Sequence, residues 1–458
     1  MNAIIISALW GVAMMLSGIL LKKSVQVQVM ALLGGIALLG AALYDMNLVA
    51  GGNRTYYGML ELNSYTAKFN AVISACALFY LLIFRGAVAR VGKNDAEYFA
   101  LIFFIISGIF LLSTYSNLLI LFLGIEIVSI PQYILAGSDK ESLKSNEASL
   151  KYFLMGSFST GLLLMGITLL YGSTGSFDIM NPQFGDAFSS MEGMHSLGLI
   201  GILLMIVSFG FKASSAPFHF WTPDVYDGSP TPFTPFMATV AKVGIFLAFI
   251  RLFHFSFGSV AGAWQVAIAA MIALTLLFGN ITAVYQQSVK RMMAYSSIAQ
   301  AGFMLFAVFA FNATSWQGLI LYSAAYTLAS FGVFAVMVKL KDYSYEGFNG
   351  LARKEPLLAL TATISLLSLA GIPLTGGFFA KYLVLSAAVE QGKMIGLVVF
   401  AVLMAAVSAW YYFRVIMSMY FREGEPVLAE ETSATERFLL VLNAIAILAL
   451  GILPGWLI

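Results

Sequence analysis

The chain has 458 residues, of which 60% are apolar and only 10% charged, with a mean hydropathy of +0.90. That balance excludes an ordinary soluble domain and identifies an all-α polytopic membrane protein. A formal net charge of +2 gives no reason to expect a nucleic acid partner.

Crossing about 30 Å of hydrocarbon takes roughly 20 apolar residues. Fourteen runs qualify, at 3–21, 27–45, 66–84, 97–113, 115–137, 149–171, 196–217, 233–252, 261–285, 291–311, 316–338, 357–388, 394–418 and 436–457. The first lacks a small-residue cleavage pattern and leads at once into another span, so it reads as a retained helix. Spans one to three carry no ionisable residue near a midpoint and are structural. Arg54, Glu61 and Lys68, in or beside an outer loop, are expected to be solvated charges.

Span five, within LFLGIEIVSIPQYILAG, places Glu126 about midway along an apolar helix. It is either a protonated, hydrogen-bonded core carboxylate or a charge partner in a proton relay. The second reading is preferred, because ionisable groups are costly in lipid and are retained there for function. Span six opens with KSNEASLKYF, where Glu147 and Lys151 are four apart and share a helix face. They form either an edge salt bridge or part of a proton entrance, since Lys151 lies one turn deeper. The connection 172–195, with Asp178, Asp186 and Glu192, is expected to be an exposed outer loop.

The stretch 206–250 organises the rest. It carries Lys212, Lys242, His219 and five prolines in an otherwise apolar run. A lysine there must be paired, sit beside water or give up its proton. Prolines leave carbonyls unpartnered, which a membrane tolerates only where protein or a water-filled cavity satisfies them. A broken helix with buried amines points to an ion path. In span ten, Lys290 and Arg291 mark the basic-side start, and Tyr295, Ser296, Ser297 and Gln300 follow inside the helix, either gluing neighbours together or lining a file of water. Span twelve is interrupted by Gly371, Pro373, Gly376 and Gly377, with Lys381 two turns after the proline.

Two broken helices with buried lysines, in spans seven and twelve, suggest an internal repeat. Spans four to eight and nine to thirteen form two five-helix units, and the odd number inverts the second. The expected organisation is a three-helix segment at 1–96, a first unit at 97–252, a second at 253–420 and a last helix at 421–458. Tyr295 takes roughly the place of Glu126 in the second unit.

Seventeen of the 24 basic residues fall on one side, in loops 22–26, 85–96, 138–151, 286–291, 339–356 and 414–437. Arg54, Lys68, Arg251 and Lys393 fall on the other. The positive-inside rule puts the first group in the cytoplasm and both termini outside. Redox chemistry within the chain is not expected. The single cysteine, Cys76, cannot hold an iron-sulfur cluster, and His195, His219 and His254 lie at different depths. No phosphate-binding loop indicates ATP as an energy source.

The segments LFLGIEIVSIPQYILAG, NEASLKYF, FKASSAPFHFWTPDVYDGSPTPFTPFMATVAKVGIF, VKRMMAYSSIAQAG and LSLAGIPLTGGFFAKYLVL resemble the antiporter-like membrane subunits of respiratory complex I, NADH-quinone oxidoreductase. A lysine in broken span twelve, and an end after fourteen spans with no long C-terminal helix, fit the subunit N branch. The resemblance implies that Glu126 pairs with Lys212, Lys242 connects, and Lys381 hands the proton on. It assigns His219 and Tyr226 to polar positions of the intervening motif and Glu147 and Lys151 to an outer acid-base pair. It also implies no cofactor in this chain: NADH, FMN, iron-sulfur clusters and quinone would sit in partner subunits. Those partners would include a sister antiporter-like subunit and a small membrane subunit, with lipid around, in a bacterial plasma membrane.

A lysine relay makes physical sense, since ion pairing favours the charged amine and separation favours release. Moving one proton against about 150 mV takes about 3.5 kcal/mol. Tyr295, Ser296 and Ser297 are the candidates for holding water between Lys242 and Lys381. Two other functions stay open. One is a subunit of a multi-subunit sodium/proton antiporter, for which more buried oxygen ligands than Glu126 would be expected. The other is a structural spacer whose lysines bind lipid or partners.

Overall fold

A computed structural model describes residues 1–92, 94–181, 192–392 and 394–457. The expectations for Lys93, Asp186 and Lys393, and for the side chains of Glu192 and His195, fall outside the described residues. Nearly all of the rest is helical, as lipid demands, because a helix satisfies its backbone polar groups within one segment. In chain order the helices are α1 Asn2–Leu20, α2 Ser24–Val49, α3 Ser64–Val88, α4 Asp95–Thr114, α5 Leu118–Ala136, α6 Leu143–Thr174, α7 Glu192–Lys212, α8 Trp221–Gly228 and α9 Thr234–Ser256. They continue as α10 Ala261–Val284, α11 Val289–Ala310, α12 Ala313–Val338, α13 Leu351–Lys354, α14 Pro356–Ala370, α15 Gly376–Glu390, α16 Ile395–Phe421 and α17 Ala434–Ile452.

Among the described residues, 12 helices are long and apolar enough to cross a membrane. The runs expected as spans seven and twelve are not among them. The first ends at Lys212 and continues as the short α8, and the second is divided into α14 and α15. Helix α6 has 32 residues, about 48 Å at 1.5 Å per residue, so it outreaches the hydrocarbon. Lys144, Glu147 and Lys151 ride on its first turns rather than in a loop.

The core is a group of four helices enclosed by the others. The apolar window of α9 is wholly buried, α11 and α12 are almost as enclosed, and α4 follows. Helices approach closely where small residues face each other, at Gly108 and Gly124 between α4 and α5 and at Gly166 and Gly201 between α6 and α7. Cys76 is buried in this packing.

On the side opposite the basic loops, β1 Arg54–Tyr56 pairs antiparallel with β2 Leu60–Leu62. Arg54 is exposed as expected, but Glu61 is not a solvated charge. It is buried and pairs with the guanidinium of Arg251 at 3.0 Å, while Arg251 Nε donates to the Tyr115 carbonyl at 2.7 Å. Arg251, expected on the side opposite the basic loops at the end of span eight, is fully buried. The reason is tertiary: α9 is surrounded along its whole length, so its end lies under the hairpin instead of in solvent. At the start of the chain, α1 has no cap of its own. Asp45 of α2 supplies one, accepting from the backbone N–H groups of Asn2 at 3.2 Å and Ala3 at 3.0 Å.

Candidate functional site: buried lysines at helix breaks

Lys212 is the last residue of α7. Its helix stops there, and Trp221 Nε1 reaches back to the Phe211 carbonyl at 3.1 Å. The Lys212 amine donates to Ser129 Oγ at 2.9 Å and to Tyr133 OH at 3.1 Å, both on α5. Glu126, three and seven residues before them, lies on the same face of α5. Its carboxylate accepts from Thr160 Oγ1 of α6 at 2.8 Å. The expected Glu126–Lys212 ion pair is therefore not closed in this conformation, because hydroxyls hold each partner separately. Three residues, about 4.5 Å along the axis, separate Glu126 from Ser129. Gly156 makes room for the arrangement: a Cβ there would run into the Tyr133 phenol.

Helix α8 fills the gap after α7. His219, just before it, is buried, stacks on Phe220 and Phe278, and its Nδ1 has no hydrogen-bond partner among the described residues. Tyr226 on α8 donates to the Met237 carbonyl at 3.4 Å. Residues Met237–Ala241 form a π-helical turn inside α9. Such turns expose carbonyls and are frequent at functional positions. Tyr326 of α12 takes another of them, donating to the Ala238 carbonyl at 3.2 Å. Lys242 follows directly. Its amine lies over the Tyr226 ring at 5.6 Å and donates to Ser297 Oγ at 2.5 Å and to the Ser297 carbonyl at 3.2 Å.

The break between α14 and α15 holds Lys381. Gly371 ends α14 in the left-handed region, φ +85°, a C-terminal geometry that glycine accepts without strain. Its N–H and that of Ile372 satisfy the Leu367 and Ser368 carbonyls, but the last two of α14 remain open. Lys381, on the other half-helix, closes both, donating to Leu369 O at 2.8 Å and Ala370 O at 2.9 Å. The ammonium thus sits at the negative end of α14 and over the Phe303 ring at 4.7 Å.

Polar side chains join Lys381 to the Lys242 region. Gln300 Nε2 donates to the same Leu369 carbonyl at 2.9 Å and to Tyr412 OH at 3.2 Å, and Tyr412 OH meets Ser296 Oγ at 2.5 Å. Tyr322 donates to the Gln300 amide oxygen. Ser296 adjoins Ser297, the partner of Lys242. Tyr295, expected to share this role, is only half-buried and lies beside Arg291. The reason is helix phase, which turns its side chain away from its two serine neighbours.

On the basic side, Lys151 bridges Glu147 at 2.7 Å and Asp224 of α8 at 2.8 Å. Asp224 also binds Arg291 of α11 at 2.9 Å, so one carboxylate ties α6, α8 and α11 together. Sequence reasoning missed Asp224, Ser129, Tyr133, Thr160 and Tyr412. A signal existed for Ser129 and Tyr133, which repeat at helical spacing from Glu126. Asp224 lay unremarked inside the proline-rich run, and nothing local marks Thr160 or Tyr412. Among the described residues, no group of three or more His, Cys, Asp or Glu is arranged to hold a metal ion.

The family model for the transmembrane region of NADH:quinone oxidoreductase and Mrp antiporter proteins matches residues 115–408. With buried amines at its helix breaks, the chain belongs to this NADH:quinone oxidoreductase/Mrp antiporter family. Within it, the chain is 38% identical to NADH-quinone oxidoreductase subunit N of Cytophaga hutchinsonii, over 99% of this chain and 98% of that one. A chain of respiratory complex I from Thermus thermophilus superposes with a TM-score of 0.84 at 34% identity, covering 99% of this chain and 97% of that one. A chain of the Mrp complex from Dietzia sp. DQ12-45-1b shares the fold, with a TM-score of 0.86 at 18% identity over 100% and 95% of the two chains.

Proposed function

We propose that this chain acts as subunit N of an NADH-quinone oxidoreductase, a membrane subunit that translocates protons while the redox chemistry takes place in other subunits. One observation carries the reading: Lys212, Lys242 and Lys381 are buried, and each amine is held by uncharged oxygen acceptors rather than by a carboxylate. An ammonium so placed is solvated well enough to exist, yet not locked in an ion pair, so a modest movement can tip it toward release. Glu126 is the movable counter-charge. Shifting α5 against α7 by about one turn's side-chain reach would close the pair with Lys212 and hold the proton there.

From Lys212 the route runs past His219 and Tyr226 to Lys242, then through Ser297, Ser296, Tyr412 and Gln300 to Lys381. Steps of about 3 Å are needed for transfer, so water completes the longer gaps. The finer organisation follows the same logic. Fourteen membrane passages arise when α7 with α8, and α14 with α15, each count as one broken crossing. The units at 97–252 and 253–420 then correspond, and in each the third helix, α6 or α12, packs on the broken one. Because α9 continues to Ser256, the chain changes unit at the turn after it.

The basic side is cytoplasmic and both termini face outward. NADH, FMN, iron-sulfur clusters and quinone belong to partner subunits, and a sister antiporter-like subunit and a small membrane subunit flank this one in a bacterial plasma membrane. The shared Mrp fold keeps sodium/proton exchange as the second reading, which sodium-dependent transport by the assembled complex would favour. The main test replaces Lys212 or Glu126 by Ala in the assembled complex. Proton uptake into vesicles is expected to fall while native gels show intact assembly. Unchanged pumping in an assembled variant removes the relay assignment.

A further inference from the structure

One buried amine has no part in the route above. Lys290, near the start of α11, is only 4% exposed. It donates to the Asp227 carbonyl at 2.9 Å and the Ser229 carbonyl at 2.6 Å, at the C-terminal end of α8, and lies over the Tyr343 ring at 5.6 Å. Like the three lysines of the route, it is held by neutral oxygens.

Two features distinguish Lys290 from a simple helix cap. It lines a cavity of about 550 Å³ on the basic side, with Asp139, Lys144, Asp227, Asp342 and Tyr343 among the other lining residues. It also precedes Ser297 by seven residues, which returns to the same face of α11 after two turns, about 10 Å along the axis. Ser297 is the residue that accepts from the Lys242 amine. The same short helix meets both lysines, since the Asp227 carbonyl binds Lys290 and the neighbouring Tyr226 ring lies under Lys242.

We infer that Lys290 is the proton-collecting group of the second unit, loaded from the cavity on the basic side and emptied along α11 toward Ser297 and Lys242. This rests on the proton-translocating reading given above. The amine alternates between ammonium and neutral amine, one proton entering from the cavity for each one leaving, and no other reactant is required. The roughly 10 Å between Lys290 and Ser297 is spanned by about three hydrogen-bonded steps through water. The carbonyls at the end of α8 stabilise the loaded form, and the nearby Asp227 carboxylate adds to it without a direct ion pair.

The test exploits the difference between two cations. Arginine donates to the same carbonyls and keeps the charge, but it does not give up its proton. Glutamine keeps the hydrogen bonds without a transferable proton. Lys290→Arg and Lys290→Gln are compared in the assembled complex for amount by native gel and for vesicle proton uptake per NADH oxidised, beside Lys242→Arg. The expected result is normal assembly with uptake per NADH lowered on the order of a hundredfold in all three, the lower end of the loss for a proton-transfer group. Normal uptake in both Lys290 variants, or failure of both to assemble, overturns the inference and leaves a structural cap. If Lys242→Arg also pumps normally, the translocating reading fails with it; if only the Lys290 variants do, the entrance assignment alone falls.

Discussion

Around Lys212 the decisive geometry is made by small groups. The amine meets Tyr133 only because position 156 carries no side chain beyond hydrogen. Gly156→Ala is expected to push the phenol aside and leave Lys212 with Ser129 alone. Misplacement by about an ångström can cost as much as 10²-fold in a transfer step, so proton uptake should drop roughly tenfold to hundredfold. Gly161→Ala on the same helix is the control, because nothing lies near the Cβ it would add. Equal uptake in the two variants would show that the Tyr133 contact is incidental. The pairing of Glu126 with Thr160, and of Lys212 with hydroxyls, also keeps the carboxyl and the amine from closing on each other.

The breaks in α7, α9 and α14 are resolved by side-chain donors: Trp221, a pair of tyrosines and Lys381. At the end of α14, Gly371 turns the chain and Lys381 closes the carbonyls that turn exposes. An L side chain in the left-handed region costs roughly 1–2 kcal/mol. Gly371→Ala should therefore lower the thermal unfolding midpoint of the purified complex's membrane arm, whereas Gly396→Ala, in open space within α16, should not. An unchanged midpoint for Gly371→Ala would mean that the α14–α15 turn can relax without loss. In α9 the same problem is solved by Tyr226 and Tyr326, which take the carbonyls of the π-helical turn just ahead of Lys242. The helix breaks thus become the places that hold the buried amines.

Across the whole molecule, α9 is the axis, and its lysine and its arginine behave differently. Lys242 faces the polar chain toward Lys381, while Arg251 is locked to Glu61 under the β1–β2 hairpin and to the Tyr115 carbonyl. Removing one member of a buried pair strands the other, at a cost of about 3–5 kcal/mol, whereas an apolar replacement of both is often near neutral. Arg251→Met alone should destabilise by that order in thermal denaturation, and the double variant with Glu61→Met should recover most of it. Additive losses would show that the pair is not the energetic unit. Asp224 plays the corresponding tying role on the basic side, holding Lys151 of α6 and Arg291 of α11 at once.

Membrane residence, the helical runs, their breaks and the lysines that mark them were determined by the sequence alone. Lipid demands long apolar segments, and it makes every proline, glycine or charge inside one conspicuous. Glu126, Lys212, Lys242 and Lys381 stand out for that reason. Tertiary structure alone decided which oxygens hold those amines, because partners such as Tyr133, Ser297 and Leu369 come from other helices. It also decided that Arg251 and Glu61 are buried together, since the crowding of α9 by its neighbours is invisible in its own apolar run. The same holds for Tyr412, whose hydroxyl looks like any membrane tyrosine until α16 brings it against α11.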